Sequence, residues 1–197
     1  MAGNAQQVWF TADTHFGHAN ILKYSGRPFD GDVERHDRAL VANWNANVGP
    51  RDLVYHLGDF AFKSTQSAAE YRRKLNGQIY LIEGNHDSAA RADANVFLHV
   101  GQVAEVKVNG QRVWLSHYAH RVWPRSHKGS WHLYGHSHGS LADDPNALSL
   151  DVGVDAHAAR LAGRGERRPE DYRPMRFEEV AALMEQKTFV PIDHHGR

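Results

Sequence analysis

The sequence has no cysteine, no long apolar run and no excess of either charge. Without cysteine, the 197-residue chain forms no disulfide and offers no thiolate to a metal, which leaves histidine, aspartate and asparagine as candidate ligands. No apolar run reaches 18 residues, and the N-terminal "MAGNAQQVWF" lacks a charged start followed by an apolar core, so we expect a cytoplasmic protein that does not enter membranes. Basic and acidic residues balance at 23 each, so no global field attracts duplex nucleic acid.

Short apolar runs recur along the chain, and each ends at polar residues. Their length and their β-branched and aromatic content favour strands over helices. The runs are "QVWFTA" before Asp13, "DLVYHL" before Gly58-Asp59, "QIYLIE" before Gly84-Asn85, "RVWLS" before His117 and "WHLY" before Gly135-His136. The length suits one domain, which we place at residues 1–197.

Helical patterns lie between these runs. One helix is predicted from Val33 to Val48 and ends at Gly49-Pro50, a second from about Ser64 to Asn76, and a last one from Phe177 to about Lys187. Asn109-Gly110 joins two alternating runs and predicts a β-hairpin, so the expected architecture is α/β with a mixed sheet. Residues 156–174 are rich in arginine, glycine and proline and are predicted to form a long loop.

The segment "LYGHSHGS" places two histidines two residues apart. With 15 histidines in the chain, about one such pair is expected by chance, so the pair alone carries little weight. In open α/β sheets, however, ligands bind beyond the carboxyl ends of strands. Five predicted strand ends carry ligand-type residues, which are Asp13, His15, Asp59, Asn85, His117, His136 and His138.

Seven ligands are too many for one ion and suit two. Two divalent ions ~3.5 to 4 Å apart, sharing one carboxylate, are typical of sites that bind both the attacking and the leaving oxygen of a phosphoryl group. Asp59 is the natural bridge because a carboxylate has two oxygens. The residue types admit Mn, Fe, Zn, Co or Ni, of which we favour Mn.

The ordered blocks "DTH", "GD", "GNHD", a lone histidine and "GHSH" resemble the calcineurin-like metallophosphoesterases, from about Val8 to Asp155. The contexts "FTADTHFGH" and "VYHLGDF" are similar to a compact bacterial and phage subgroup of predicted phosphoesterases. The resemblance implies an α/β/β/α fold, a two-sheet β-sandwich flanked by helices with a dinuclear site at one edge. It also implies one ion on Asp13, His15, Asp59 and His138, and the other on Asp59, Asn85, His117 and His136.

The residues also predict a mechanism. A hydroxide held between the ions, its pKa lowered by their charge, would attack phosphorus in line. Asn85 offers a neutral oxygen, which leaves its ion more Lewis-acidic than another carboxylate would. His86 is assigned to neither ion, and we predict that it protonates the departing oxygen, with a purely structural role as the alternative.

Departures from related families narrow the expected activity. Glu83 stands where phosphoprotein phosphatases carry arginine, and Phe60 and Phe62 lie where purple acid phosphatases use a tyrosine ligand. We therefore expect a phosphodiesterase acting on small or nucleotide phosphodiesters. The alternatives are a phosphomonoesterase, a nuclease of single-stranded nucleic acid, and a binding scaffold without catalysis.

Further polar residues near the blocks are weaker candidates. His18, Asn20 and His120 are candidate substrate contacts, although orientation of a ligand or ordinary packing would explain them as well. His56 and His132 are predicted to belong to the core or to support a ligand from behind, and Trp44 is predicted to pack in the core. The predicted loop carries arginines that acidic residues interleave, so we expect these to be solvated, namely Arg160, Arg164, Arg167, Arg168 and Arg173.

Overall fold

The computed structural model describes residues 6–193, so the two ends of the predicted 1–197 domain lie outside the described residues. Its first sheet has five strands in the order β4-β3-β2-β1-β9. β1 to β4 are parallel neighbours, and β9 pairs antiparallel with β1. The strands are β1 (Val8–Thr11), β2 (Leu53–His56), β3 (Gln78–Ile82), β4 (His99–Gly101) and β9 (Met175–Arg176).

The second sheet has four strands in the order β5-β6-β7-β8. β5 and β6 form the antiparallel hairpin predicted around Asn109-Gly110, and β6, β7 and β8 are parallel. The strands are β5 (Val103–Val108), β6 (Gln111–Ser116), β7 (Trp131–Tyr134) and β8 (Ser149–Asp151). Two mixed sheets with flanking helices confirm the predicted metallophosphoesterase fold.

In the described part of the chain, six α-helices connect and flank the strands. They are α1 (Ala19–Tyr24), α2 (Val33–Asn47), α3 (Ala68–Arg73), α4 (Ser88–Ala92), α5 (Val154–Ala162) and α6 (Phe177–Met184). α2 agrees with its prediction, and the Asp32 side chain caps its start by accepting from the backbone N–H of Arg35. α3 is shorter than predicted because Ser67 and Glu70 form a capping box that sets its first turn. None of the helices within residues 6–193 is long and apolar enough to cross a membrane.

The predicted loop over 156–174 is wrong in its first part, where α5 runs to Ala162. The segment "VDAHAARLA" is rich in alanine, the best helix former, and it buries Val154 and Ala158. Gly163 then ends the helix with a φ of +59°. The arginine and glycine content further along had masked this helical start.

Two apolar cores hold the fold together. One lies on the helical side of the first sheet and includes Trp44 and Tyr71, both almost fully buried. The other lies between the two sheets and includes Phe10, Leu115 and Leu133. The predicted core positions of Trp44, His56 and His132 are confirmed, since all three are buried.

The register of the strands brings their carboxyl ends to one edge. Thr11, His56 and Leu81 are paired neighbours in the first sheet, and Leu115 pairs with Leu133 in the second. Backbone hydrogen bonds continue past the strand ends, as from Asp13 N–H to the Gly58 carbonyl at 2.9 Å. Across the two sheets, the backbone N–H of His136 donates to Asp13 Oδ1 at 3.0 Å, so the polar residues that follow the strands of both sheets are gathered at a single place.

Candidate metal centre

The seven predicted ligands converge at the edge of the sandwich. Three of them form a cluster that we call site A, consisting of Asp13, His15 and His138, whose candidate ligand atoms lie within 4.8 Å of one another. Asp59, His117 and His136 form a second such cluster. Asn85 joins it, because its Oδ1 lies 3.1 Å from His117 Nε2 and 3.0 Å from His136 Nδ1, and we call these four residues site B.

Asp59 lies between the two sites. Its Oδ2 is 3.4 Å from His15 Nε2 in site A and 3.6 Å from His117 Nε2 in site B. Its other oxygen accepts the backbone N–H of His86 at 2.9 Å, which fixes the carboxylate plane. This is the position that a carboxylate shared by two ions requires.

The backbone at the predicted ligands is unusual. Nine non-glycine residues within 6–193 have a positive φ, and five of these are predicted ligands, with φ between +48° and +65°. Left-handed conformations cost on the order of 1–3 kcal/mol per residue and persist only where the surrounding structure enforces them. The five are Asp13, His15, Asp59, His136 and His138. The fold therefore imposes the direction of these side chains.

Two glycines permit the close approach of the ligand loops. A Cβ added to Gly84 would lie 2.5 Å from the backbone nitrogen of Asp59, and one added to Gly135 would lie 2.8 Å from Asp13 Oδ2. Neither space admits a side chain. The glycines before Asn85 and His136 therefore let the chain pass close to the carboxylates.

The buried polar groups of site A favour the binding of a cation. Burial, followed by the neighbouring Asp151 and Asp59, raises the pKa of Asp13 well above its usual range. Burial and the nearby Arg27 lower the pKa of His15, so its imidazole is neutral, yet neither ring nitrogen has a hydrogen-bond partner. Buried carboxylates beside a neutral imidazole with unpartnered nitrogens are satisfied by a divalent ion. The residues present therefore fit the metal ions that the sequence implies.

A charged network lies behind site A. The Nδ1 of His138 is 2.7 Å from Asp155 Oδ2, and Asp155 forms a fully buried ion pair with Arg27. Arg27 also donates to the backbone carbonyls of Asp13 and Thr14, at 2.7 and 3.0 Å. Sequence reasoning missed Arg27 and Asp155, and the only signal was their place beside the ligand blocks.

Site B is held by backbone groups instead. The buried carboxylate of Asp87 accepts the backbone N–H groups of Asp59, Phe60 and Gly84 at 2.7 to 2.8 Å. His117 Nδ1 lies 2.8 Å from the carbonyl oxygen of Leu57. Asp87 closes the block "GNHD", so its position in the sequence was a signal that the ligand prediction did not use.

A cleft of about 770 Å³ opens over both sites. His86 lines it, with its ring centroid 5.5 Å from that of His15 and 3.9 Å from that of Phe62. His18 and Asn20 also line it, and burial, followed by the charge of His86, lowers the pKa of His18. The predicted acid and two of the three candidate substrate contacts are thus brought to one cavity.

His120 is not brought to the cleft. Its Nδ1 accepts from the indole N–H of Trp114 at 3.2 Å, and its backbone N–H donates to His132 Nε2 at 3.0 Å. It does not line the cavity over the ligands. His120 therefore packs against the second sheet, away from the cleft that His18 and Asn20 line.

The prediction that the arginines are solvated is wrong for several of them. Arg167 lines the cleft and donates to the carbonyls of Ser25 and Gly26 at 2.6 and 2.9 Å. Arg160 donates to the Asp151 carbonyl, and Arg173 pairs with Glu179. The partners of Arg167 are 142 and 141 positions away in the sequence, so the local alternation of charges gave no indication of them.

The cleft over the ligands is not the largest cavity in the protein. A groove of about 980 Å³ lies at the opposite ends of the strands, lined by Trp9, Asp52 and Arg176 among others. The Asp52 carboxylate there already accepts from Gln7 N–H, Gly49 N–H and the Trp9 indole. The polar groups of this groove therefore stabilise the fold, and the smaller cleft over sites A and B is the candidate functional site.

Comparison with known proteins agrees with the geometry. The model of the calcineurin-like phosphoesterase superfamily domain matches residues 7–153. An uncharacterized protein of Methanocaldococcus jannaschii is 29% identical over 188 residues, which cover 92% of this chain and 93% of that protein. The gene 66 protein of Mycobacterium phage L5 is 31% identical over 191 residues, which cover 81% of this chain and 91% of that protein.

Solved structures share the fold. A protein of unknown function from Aquifex aeolicus superposes with a TM-score of 0.64 at 20% identity, covering 91% of this chain and 100% of that chain. A structure described as a novel archaeal phosphodiesterase superposes with a TM-score of 0.51 at 18% identity, covering 87% of this chain and 100% of that chain. At these identities the likeness concerns the architecture alone.

Proposed function

The chain belongs to the calcineurin-like phosphoesterase superfamily, and from that membership we propose that it is a dinuclear metal-dependent phosphodiesterase acting on small or nucleotide phosphodiesters. The observation that carries the proposal is the position of Asp59, whose Oδ2 lies 3.4 and 3.6 Å from one imidazole of each site. Site A with Asp59 would hold one ion, and site B the other. Manganese is the favoured metal, since the carboxylate and carbonyl oxygens of Asp13, Asp59 and Asn85 suit it.

Two divalent ions, when bound, supply Lewis acidity to phosphoryl oxygens and lower the pKa of water. The residues of the chain supply orientation and proton transfer. His86 lines the cleft beside His15 without belonging to either site, which supports its proposed role of donating a proton to the oxygen that leaves when the P–O bond breaks. The Lys63 ammonium, exposed at the cleft wall, attracts the anionic substrate.

The shape of the cleft favours a diester. Its volume of about 770 Å³ has room for a substituent on each side of a phosphorus atom. Tyr24 is 73% exposed at its wall, and Lys63 lies 5.1 Å from the centroid of the Phe62 ring. Aromatic rings next to a cation bind nucleobases and phosphates, which favours a nucleotide substrate.

The same wall supports a second candidate, a nuclease of single-stranded nucleic acid. Exposed aromatic and basic side chains at a rim accommodate successive bases and phosphates without sequence preference. Binding of a strand would weaken steeply with salt, whereas binding of a small diester would change little.

A substrate panel tests the proposal. The purified protein should bind two divalent ions per chain, hydrolyse bis-p-nitrophenyl phosphate faster than p-nitrophenyl phosphate, and lose activity on chelation until Mn²⁺ is added. Cyclic nucleotides and a single-stranded oligonucleotide complete the panel and distinguish diesterase from nuclease. One ion per chain, or activity indifferent to a chelator, would overturn the dinuclear proposal, and faster monoester hydrolysis would overturn the diesterase preference.

A leaving-group comparison tests the role of His86. Alkoxides are strongly basic and need a proton on departure, whereas nitrophenolate needs little help. General acid catalysis contributes ~10² to 10⁴ in rate, so His86→Ala should lose most of that on a diester with a nucleoside leaving group and much less on a nitrophenyl diester. Equal losses in kcat/KM for the two substrates, measured in the fully metallated variant, would remove His86 from the acid role.

A further inference from the structure

His138 is presented to the cleft by a carboxylate. Its Nδ1 lies 2.7 Å from Asp155 Oδ2, and Asp155 is 1% exposed. A carboxylate only accepts hydrogen bonds, so Nδ1 carries the proton and Nε2 keeps its lone pair. The hydrogen bond therefore selects the tautomer that a metal ligand needs.

Arg27 holds this carboxylate in place. Its Nε and Nη2 donate to the two oxygens of Asp155 at 3.0 and 2.7 Å. The other donors go to the carbonyls of Asp13 and Thr14 and to His36 Nε2, the last at 2.8 Å. These contacts occupy all five N–H donors of a guanidinium. One buried side chain thus joins α5 to the loop that carries Asp13 and His15.

The network continues away from the cleft and stays buried. His36 Nδ1 lies 2.9 Å from Asp37 Oδ1, so His36 donates there and accepts from Arg27 through Nε2. Asp37 also accepts from the Tyr71 hydroxyl at 2.7 Å and from the backbone of Gly17. Each polar side chain of this network has a hydrogen-bond partner, so Arg27 is held in a single position.

Stability alone does not account for such a pair. Removing two charges from water is costly, and well-packed apolar residues of similar size often stabilise a fold as well or better. The side chains of Arg27 and Asp155 are both 0% exposed, and both contact residues of site A directly. The buried pair of Arg27 and Asp155 is explained if its role is to position the metal ligands of site A.

We propose that Asp155, held by Arg27, is a positioning residue that fixes the Nδ1–H tautomer and the ring orientation of His138, while Arg27 fixes the loop of Asp13 and His15. The inference rests on the proposed metal centre. Partners behind a ligand typically change metal affinity 10- to 100-fold. Asp155→Asn should therefore weaken binding of one of the two ions by about 10- to 100-fold and leave the other unchanged.

A double variant separates positioning from folding. Asp155→Asn leaves Arg27 buried without its counter-charge, so a lower melting temperature is expected as well. Arg27→Met combined with Asp155→Leu removes both charges and should recover part of the melting temperature lost in Asp155→Asn, since the carbonyls of Asp13 and Thr14 then lack their donor. The affinity for the ion of site A should not recover. As a matched control, Asp171→Asn removes a buried carboxylate that accepts from Arg168 outside the cleft, and both ions should remain tightly bound.

The measurements are ion affinity by chelator competition and the ring ¹⁵N shifts of His138 in metal-free protein. The wild type should show one tautomer, protonated at Nδ1, and Asp155→Asn a mixture. If the stable double variant binds both ions with wild-type affinity, or if metal-free His138 is protonated at Nε2, the positioning role is overturned. The tautomer is measured without metal or substrate. A failure of the phosphodiesterase proposal would leave this measurement unchanged, so it can be distinguished from a failure of the positioning role.

Discussion

Sites A and B hold similar ligands by different means. In site A, Asp13 and His15 are buried, and a network of charged side chains supports them through Arg27. In site B, Asn85 and His136 are exposed, and backbone groups do most of the positioning. Site A is supported by buried charged side chains, whereas site B is supported by main-chain hydrogen bonds to Asp87 and His117, with two of its four residues exposed.

This difference has a consequence for how each site responds to loss of its ion. The pKa of Asp13 is raised by burial and by Asp151 and Asp59, so an empty site A contains carboxylates that repel one another. The difference is that Asp13 of site A is buried beside Asp151 and Asp59, whereas site B has exposed members, Asn85 and His136, that can hydrogen-bond to water. Metal removal should therefore disturb site A more than site B.

The largest effect is expected where the two sites meet. Asp59→Asn removes the anionic oxygen that lies between His15 and His117, so both ions should be weakened together. A fall in kcat/KM of at least ~10³, equivalent to about 4 kcal/mol of transition-state stabilisation, should accompany the loss of metal. Elemental analysis and steady-state kinetics measure the two effects. A variant with two ions and normal turnover would show that Asp59 is not the bridge.

Single-ligand variants should give smaller effects and separate the sites. His138→Ala removes an imidazole from site A only, and His117→Ala removes one from site B only, so each protein should retain one ion per chain. The remaining ion should have nearly wild-type affinity, as measured by titration against a chelator. Loss of both ions in either variant would mean that the two sites do not bind independently.

The smallest effect concerns buried histidines outside both sites. Burial lowers the pKa of His132 to about 4, and burial followed by the charge of Arg173 lowers that of His157 to about 4. An unfolded histidine has a pKa near ~6.5, so the unfolded chain binds these protons first and stability falls as the pH drops from about 6.5 towards 4.

His157→Gln tests this pH dependence. It should reduce the slope of the unfolding free energy by about 1.4 kcal/mol per pH unit within that range. Urea unfolding between pH 4.5 and 7, in the presence of a chelator, measures the slope without the contribution of bound metal. An unchanged slope would assign the acid sensitivity to the metal sites themselves.

The ligands could be predicted from sequence because each follows a short apolar run whose end is marked locally. Gly84 before Asn85 and Gly135 before His136 mark two of these ends, one in each sheet, and the packing of the two sheets brings them together. The supporting residues could not be predicted in this way. Arg27 and Asp155 are 128 positions apart, and neither lies in a periodic pattern that points to the other.

The secondary structure likewise divides into elements that the sequence predicts and elements that it does not. The five strands that end at ligands were visible as apolar runs, whereas β4, β8 and β9 have only two or three residues and are too short to show a period. α5 was missed because its alanine-rich start is followed by arginines and glycines. Tertiary contacts, such as those that bury Val154, determine whether these segments form strands or helices.

The left-handed backbone at five of the ligands implies a trade-off between stability and function. Glycine adopts this conformation without the steric cost that a side chain incurs. At position 138, where φ is +48°, a glycine should therefore make the metal-free chain more stable than an alanine would, while neither can bind an ion. Selection for stability alone would favour replacement of these residues, so their retention in one protein is explained by what they bind.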